Sequence, residues 1–216
     1  MGWMMFETVT AILEWLGLCA FAISGALVAS RKEMDIVGFA LLACLTGIGG
    51  GTIRDLVLGL TPVFWVQRPE YVLTCLAVAG VTFFVAHVPQ SRYRGLLWLD
   101  AVGLALFAVT GAERALDHGA GATIAVTMGI ATATFGGIMR DLVGGETPVI
   151  LGREIYVTAA LAGAACFVAL HGAGVAREIA LGAGFAAALS LRAAALIWDL
   201  SLPRYRPRPG RPTDEL

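Results

Sequence analysis

Apolar runs alternate with short polar turns along the whole chain, and the runs are long. Seven of them match or approach the length of a membrane-crossing helix: about Thr8–Ala29, Ile36–Leu58, Tyr71–Val88, Leu96–Ala112, Ala122–Val143, Ile155–Leu170 and Ile179–Leu200. A helix rises about 1.5 Å per residue, so about 20 apolar residues cross a hydrocarbon core of about 30 Å. The pattern predicts an all-α integral membrane fold with seven transmembrane helices. The closing "PRYRPRPGRPTDEL" is rich in Pro and Arg and predicts a disordered tail over 201–216.

Composition excludes a soluble alternative. Soluble domains carry about 25% charged residues, whereas this chain has 14% charged and 58% hydrophobic residues, with a mean hydropathy of +0.79. A net charge of −1 supplies no field that would recruit nucleic acid. Cys19, Cys44, Cys75 and Cys166 lie scattered in apolar runs without a CxxC pair, so they read as small buried hydrophobes. The first run follows an acidic leader (Glu7) and lacks a basic n-region, so no cleavable signal peptide is expected. Seven spans put the termini on opposite sides. With the C-terminus cytoplasmic, the inner segments hold Arg31, Lys32, Arg92, Arg94, Arg153, Arg204, Arg206, Arg208 and Arg211, against Arg68, Arg114 and Arg177 outside. That bias predicts an outward N-terminus. Arg54, Arg140 and Arg192 fall within spans.

The chain also repeats itself. "LEWLGLCAFAISGA" (13–26) aligns with "LDAVGLALFAVTGA" (99–112), and "RDLVLGLTP" (54–62) with "RDLVGGETP" (140–148), both at an offset of 86 residues. The second pair agrees at seven of nine positions, including Arg, Asp and Pro. Each copy holds three spans, an odd number, so the copies should be inserted in opposite senses as an inverted-topology repeat. The division expected is 1–90 and 91–175 for the two copies, 176–200 for an added seventh helix, and the tail.

In such repeats a substrate or ion site lies near the midplane, where broken helices of the two copies meet. "GIGGGTIRD" and "ATFGGIMRD" are the expected breaks, in the second and fifth spans. Each glycine costs a helix roughly 1 kcal/mol relative to alanine, and Gly49, Gly50 and Gly51 stand some 20 Å into their span. Gly136 and Gly137 match them. Carbonyls freed by a break cannot face lipid, but can face a hydrated path and ligate a hard monovalent cation. Thr52 and Asp55 fit a capping box that restarts the helix, and the second copy has Ile138 in place of Thr52. Arg54–Asp55 and Arg140–Asp141 follow the two glycine clusters. Intramembrane charges are expensive and mark pathways. Two readings of the arginines stand: charged collars on either side of a glycine-lined waist, or side chains that snorkel to the nearest interface and pair locally.

Other features read more plainly. Thr61–Pro62 and Thr147–Pro148 resemble helix starts with a threonine cap and a proline first residue. Trp3, Trp65, Trp98 and Trp198 fall near span ends as interfacial anchors. His87, His118 and His171 share no metal-ligand spacing. "GAGFAA" (182–187) fits a dinucleotide fingerprint formally but follows no strand. Gly182, Ala186 and Ser190 form a small-residue stripe for close helix packing. "RKEMD" (31–35) reads as a solvated turn.

"GIGGGTIRDLVLG" followed by "TPVFWVQRPEY" resembles the bacterial branch of the trimeric intracellular cation (TRIC) channel family, whose domain is also catalogued as a glycine transporter. The resemblance covers nearly the whole chain. It implies a homotrimer of seven-helix protomers in the bacterial inner membrane, each with a potassium-conducting pore between two kinked helices. The kink residues carried over are Gly49, Gly50, Gly51, Gly136 and Gly137. Phe135 stands where Gly49 stands in the first copy, either as an apolar plug or as a packing residue. Animal members carry a lysine motif on the second kinked helix, where "GGIMRD" here offers Arg140. The leading function is a passive potassium channel, with sodium as a lesser candidate ion. Thr52, Thr134, Asp55 and Asp141 would assist the glycine carbonyls, and Arg54 and Arg140 would act as barrier or gate. A secondary transporter of a small zwitterion such as glycine is the alternative. Lipids are expected partners, no cofactor is expected, and no nucleophile–base or metal set supports an enzyme.

Overall fold

The computed structural model describes residues 2–86, 92–151 and 155–203, with 2–9 and 92 as backbone only. The Trp3 side chain, His87, the Arg92 side chain, Arg153 and the tail from 204 lie outside the described residues. The structure is helical: α1 (Gly2–Arg31), α2 (Ile36–Val57), α3 (Phe64–Gln67), α4 (Glu70–Val85), α5 (Arg92–Asp117), α6 (Ala122–Val143), α7 (Val157–Gly172) and α8 (Arg177–Trp198), with a 3-10 turn at Val149–Leu151. Five helices, from Thr10–Arg31 to Arg177–Trp198, are long and apolar enough to cross a membrane, and Glu70–Val85 and Val157–Gly172 are shorter apolar helices of 16 residues each.

Helix ends follow local chemistry. Asp35 caps α2 by accepting from the Gly38 N–H at 2.9 Å. α2 stops at Gly59 (φ 69°): Gly59 N–H donates to Leu56 O and Leu60 N–H to Asp55 O, the Schellman pattern. α6 stops identically 86 residues later, at Gly145 (φ 65°), with Gly145 N–H on Leu142 O and Glu146 N–H on Asp141 O. α5 runs past the expected end at Ala112 because its polar last turn finds partners. Arg177, at the start of α8, donates to Glu113 and Asp117 at 2.5 Å each. Arg114 and Arg177, assigned to outer segments from the sequence, lie in the last turn of α5 and at the start of α8.

The expected breaks are corrected. α2 is one continuous α-helix through Gly49–Gly51, and α6 is continuous through Gly136–Gly137. The reason is close approach. A Cβ on Gly50 would fall 2.0 Å from Thr132 O on α6, and one on Gly136 would fall 2.3 Å from Thr46 O on α2. The contact is reciprocal, since both residue pairs are related by the 86-residue offset. Packing of the two helices at van der Waals distance offsets the helix-propensity penalty, as small residues do in membranes. The capping box is corrected with it. Thr52 lies inside α2, donates to Ile48 O at 2.7 Å and accepts from Trp65 Nε1 at 2.9 Å, so Trp65 is also an interior contact. Nor does Thr61 cap a helix. α3 begins at Phe64 behind Val63, while the second Thr–Pro leads directly into the 3-10 turn.

Candidate functional site

The α2/α6 crossing is flanked by two arginine nodes related by the repeat. Arg140 is 0% exposed. Its Nε donates to Asp141 Oδ1 at 2.8 Å, and its Nη1 donates to Asp100 Oδ1 at 2.5 Å and to the Ser24 hydroxyl. One guanidinium thus ties α6 to α5 and α1. Asp141 uses its other oxygen to accept from the Val149 N–H at 3.1 Å, which holds the chain leaving α6. Tyr156, buried at the start of α7, lies under the Arg192 guanidinium at 5.1 Å from its ring centre. A Cβ on Gly137 would come within 2.8 Å of the Tyr156 hydroxyl.

Arg54 is built alike near its own helix end but is less enclosed. It is 5% exposed, and its Nε and Nη2 both donate to Asp55 Oδ1, at 2.9 and 2.7 Å. Asp55 Oδ2 accepts from the Phe64 N–H at 2.9 Å. The repeat-mates of Ser24 and Asp100 are Thr110 and Glu14, yet neither bonds Arg54. Thr110 donates to Leu106 O at 3.1 Å, and Glu14 accepts from the Tyr71 hydroxyl at 3.0 Å. A cavity occupies the space left between them. Glu14, Arg54, Arg68, Arg114, Thr110 and Thr132 line it, and its floor reaches Gly47 and Gly51. Its volume is about 70 Å³, room for a few waters or one compact ion.

The structure gathers some expected site residues and separates others. Gly49, Gly50, Gly51, Gly136 and Gly137 are buried at the crossing or beside it, and Gly51 touches the cavity. Arg54, Arg140, Asp55 and Asp141 are buried within the protein, so the arginines do not snorkel to an interface. Thr134 is buried but turned to its own helix, bonding Ile130 O at 2.9 Å. Phe135 is 38% exposed on the outer side of α6 and does not line the cavity. Glu14, Ser24, Asp100, Arg114 and Thr132 were not anticipated. A signal for two of them was present, because each copy of the first repeat motif carries an acid at its second position, inside an apolar run. Among the described residues no group of His, Cys, Asp or Glu is arranged to hold a metal.

These features define a multi-pass helical membrane protein with buried charge at a tight helix crossing. The family described as "Glycine transporter" matches residues 11–87 and 97–172, two copies whose starts are 86 residues apart. The chain is 73% identical to the TRIC trimeric intracellular cation channel orthologue from Rhodobacter sphaeroides, over 89% of this chain and 100% of that one, with a TM-score of 0.88. It is 40% identical to the UPF0126 inner membrane protein YadS of Escherichia coli K12 (89% of this chain, 94% of the relative). It is 38% identical to a UPF0126 membrane protein of Vibrio cholerae (90% and 82%). The chain belongs to the TRIC cation channel family, whose domain carries the glycine-transporter description. Its structural neighbours are channels rather than enzymes.

Proposed function

We propose that this protein is a passive potassium-conducting channel that works as a homotrimer, with one pathway through each protomer at the α2/α6 crossing. All seven apolar helices then span the membrane, α4 and α7 included. The two copies are inverted, the N-terminus lies outside and the C-terminus in the cytoplasm of a bacterial inner membrane. The segment boundaries are those given above. The observation that carries the reading is the unequal pair of arginine nodes. On one side a cavity leads to Gly47, Gly51 and Thr132 at the crossing. On the other side Arg140 is wholly buried and held by Asp100, Asp141 and Ser24, which on this reading closes the continuation. The structure then represents a closed state in which one node has parted and its mate is latched. Conduction requires the Arg140 node to rearrange so that Asp100 and Asp141 can face a passing cation. The lining supports a hydrated cation relayed by threonine hydroxyls and carboxylates, since Gly49–Gly51 and Gly136–Gly137 lie inside continuous helices.

The family description supports transport of glycine as the second reading, because Glu14 and the cavity arginines present both charges that a zwitterion carries. Flux from liposomes separates the two. The purified protein should collapse a potassium gradient without any amino acid present. Saturable glycine uptake with no potassium leak would favour the transporter instead.

A further inference from the structure

The cavity beside Arg54 has the wrong sign for a simple cation vestibule. Its lining sets three guanidiniums, Arg54, Arg68 and Arg114, against the single carboxylate of Glu14. Asp55 balances Arg54. Arg68 and Arg114 make no ion pair among the described residues. Arg68 lies over the Tyr71 ring, 5.4 Å from its centre, and that ring is also stacked on Trp15 at 4.6 Å. Arg114 has a buried Nε with no hydrogen-bond partner. Glu14 is already engaged by the Tyr71 hydroxyl at 3.0 Å. By the 86-residue offset, the position matching Arg68 is Glu154 and the position matching Arg114 is Val28.

Arg114 is partly buried, whereas Arg68 is exposed. A partly buried guanidinium without a counter-charge is costly, and the planar fork of donors on either arginine fits carboxylate and phosphate oxygens. We infer that this cavity binds a compact oxyanion of the phosphate or carboxylate class, held between Arg68 and Arg114. Tyr71 fixes Arg68 in place, and Glu14 limits the charge of the guest. The cavity's room matches one such group. The site stands whether the protein conducts cations or carries an amino acid. Its occupant cancels the positive surplus that otherwise repels cations on this side.

The test is a thermal-unfolding titration of the full-length protein in detergent, with potassium phosphate against potassium chloride at matched ionic strength. Phosphate should stabilise the protein saturably and chloride should not. Arg68→Gln or Arg114→Gln should raise the half-saturating phosphate concentration about tenfold, the loss of one charge-assisted bond. Glu14→Gln should lower it, a gain that misfolding cannot mimic. A second arm, in phosphate-free buffer, compares phosphatidylglycerol with phosphatidylcholine vesicles. Stabilisation by phosphatidylglycerol alone that needs both arginines supports the site with a lipid headgroup as its source. Equal effects of phosphate and chloride, with no lipid preference, overturn the proposal. So does phosphate binding that survives Arg68→Gln/Arg114→Gln, or a Glu14→Gln variant that binds more weakly.

Discussion

Arg140 and Arg54 show how one residue type takes two roles through its neighbours. Both follow a glycine cluster, both precede an aspartate, and both pair with that aspartate. Arg140 gains Asp100 and Ser24 from two other helices and becomes wholly buried. Arg54 gains neither counterpart and borders a cavity. Removing one partner from a buried ion pair typically costs 3–5 kcal/mol. Since Asp141 still compensates the charge, Asp100→Asn should destabilise the protein by about 3 kcal/mol. Glu14→Gln, which removes a carboxylate that does not bond Arg54, should cost well under half of that. Thermal unfolding in detergent checks the contrast, and equal losses would mean that Arg140 does not depend on Asp100.

At the scale of elements, α2 and α6 meet at a tight crossing. Their glycines are packing surfaces, and their spacing is set by backbone oxygens on the opposite helix. Gly136→Ala would place a methyl group 2.3 Å from Thr46 O. An overpacked contact against backbone costs about 1–3 kcal/mol. Gly80 in α4 is the control, because a Cβ there meets nothing within 4 Å. Gly80→Ala should be neutral or stabilising by up to about 1 kcal/mol, since alanine is the better helix former. A stable Gly136→Ala protein would show that the two helices are less closely apposed. The glycine clusters were legible as special positions in the sequence, but two physical causes produce the same signal. A break and a close approach both require a missing Cβ, and only the position of Thr132 O and Thr46 O distinguishes them. The Schellman ends at Gly59 and Gly145 have a local cause, which is why residues 122–143 form the helix anticipated from pattern alone.

For the whole molecule, the two related copies place matching arginines in unequal surroundings. The cavity should make one half reachable by water while the other is sealed. In a protein whose native cysteines are replaced, Arg114→Cys, partly exposed at the cavity, should react with a small membrane-impermeant thiosulfonate added to that side. Its repeat-mate Val28→Cys, 0% exposed, should stay protected from reagent on either side. Mass spectrometry reads the labelling, and equal reaction at both would remove the one-sided reading. This asymmetry was not visible in the aligned repeats. Acids stand at both 14 and 100 and hydroxyls at both 24 and 110, yet only one set closes around its arginine. Tyr71 draws Glu14 away, and Thr110 turns to its own helix.

The sequence by itself determined a helical membrane protein made of two related copies, with helix ends at capping residues and two arginine–aspartate pairs deep in apolar surroundings. Those properties follow from hydropathy, glycine's access to positive φ and the price of charge in lipid, all of which act within a few residues. Tertiary structure alone decided that the glycines join helices instead of breaking them, that Phe135 points away, and which distant groups meet each arginine. Ser24 and Asp100 lie 116 and 40 residues from Arg140. Only the folded packing of α1, α5 and α6 brings them within hydrogen-bond range, because no local rule couples residues so far apart along the chain.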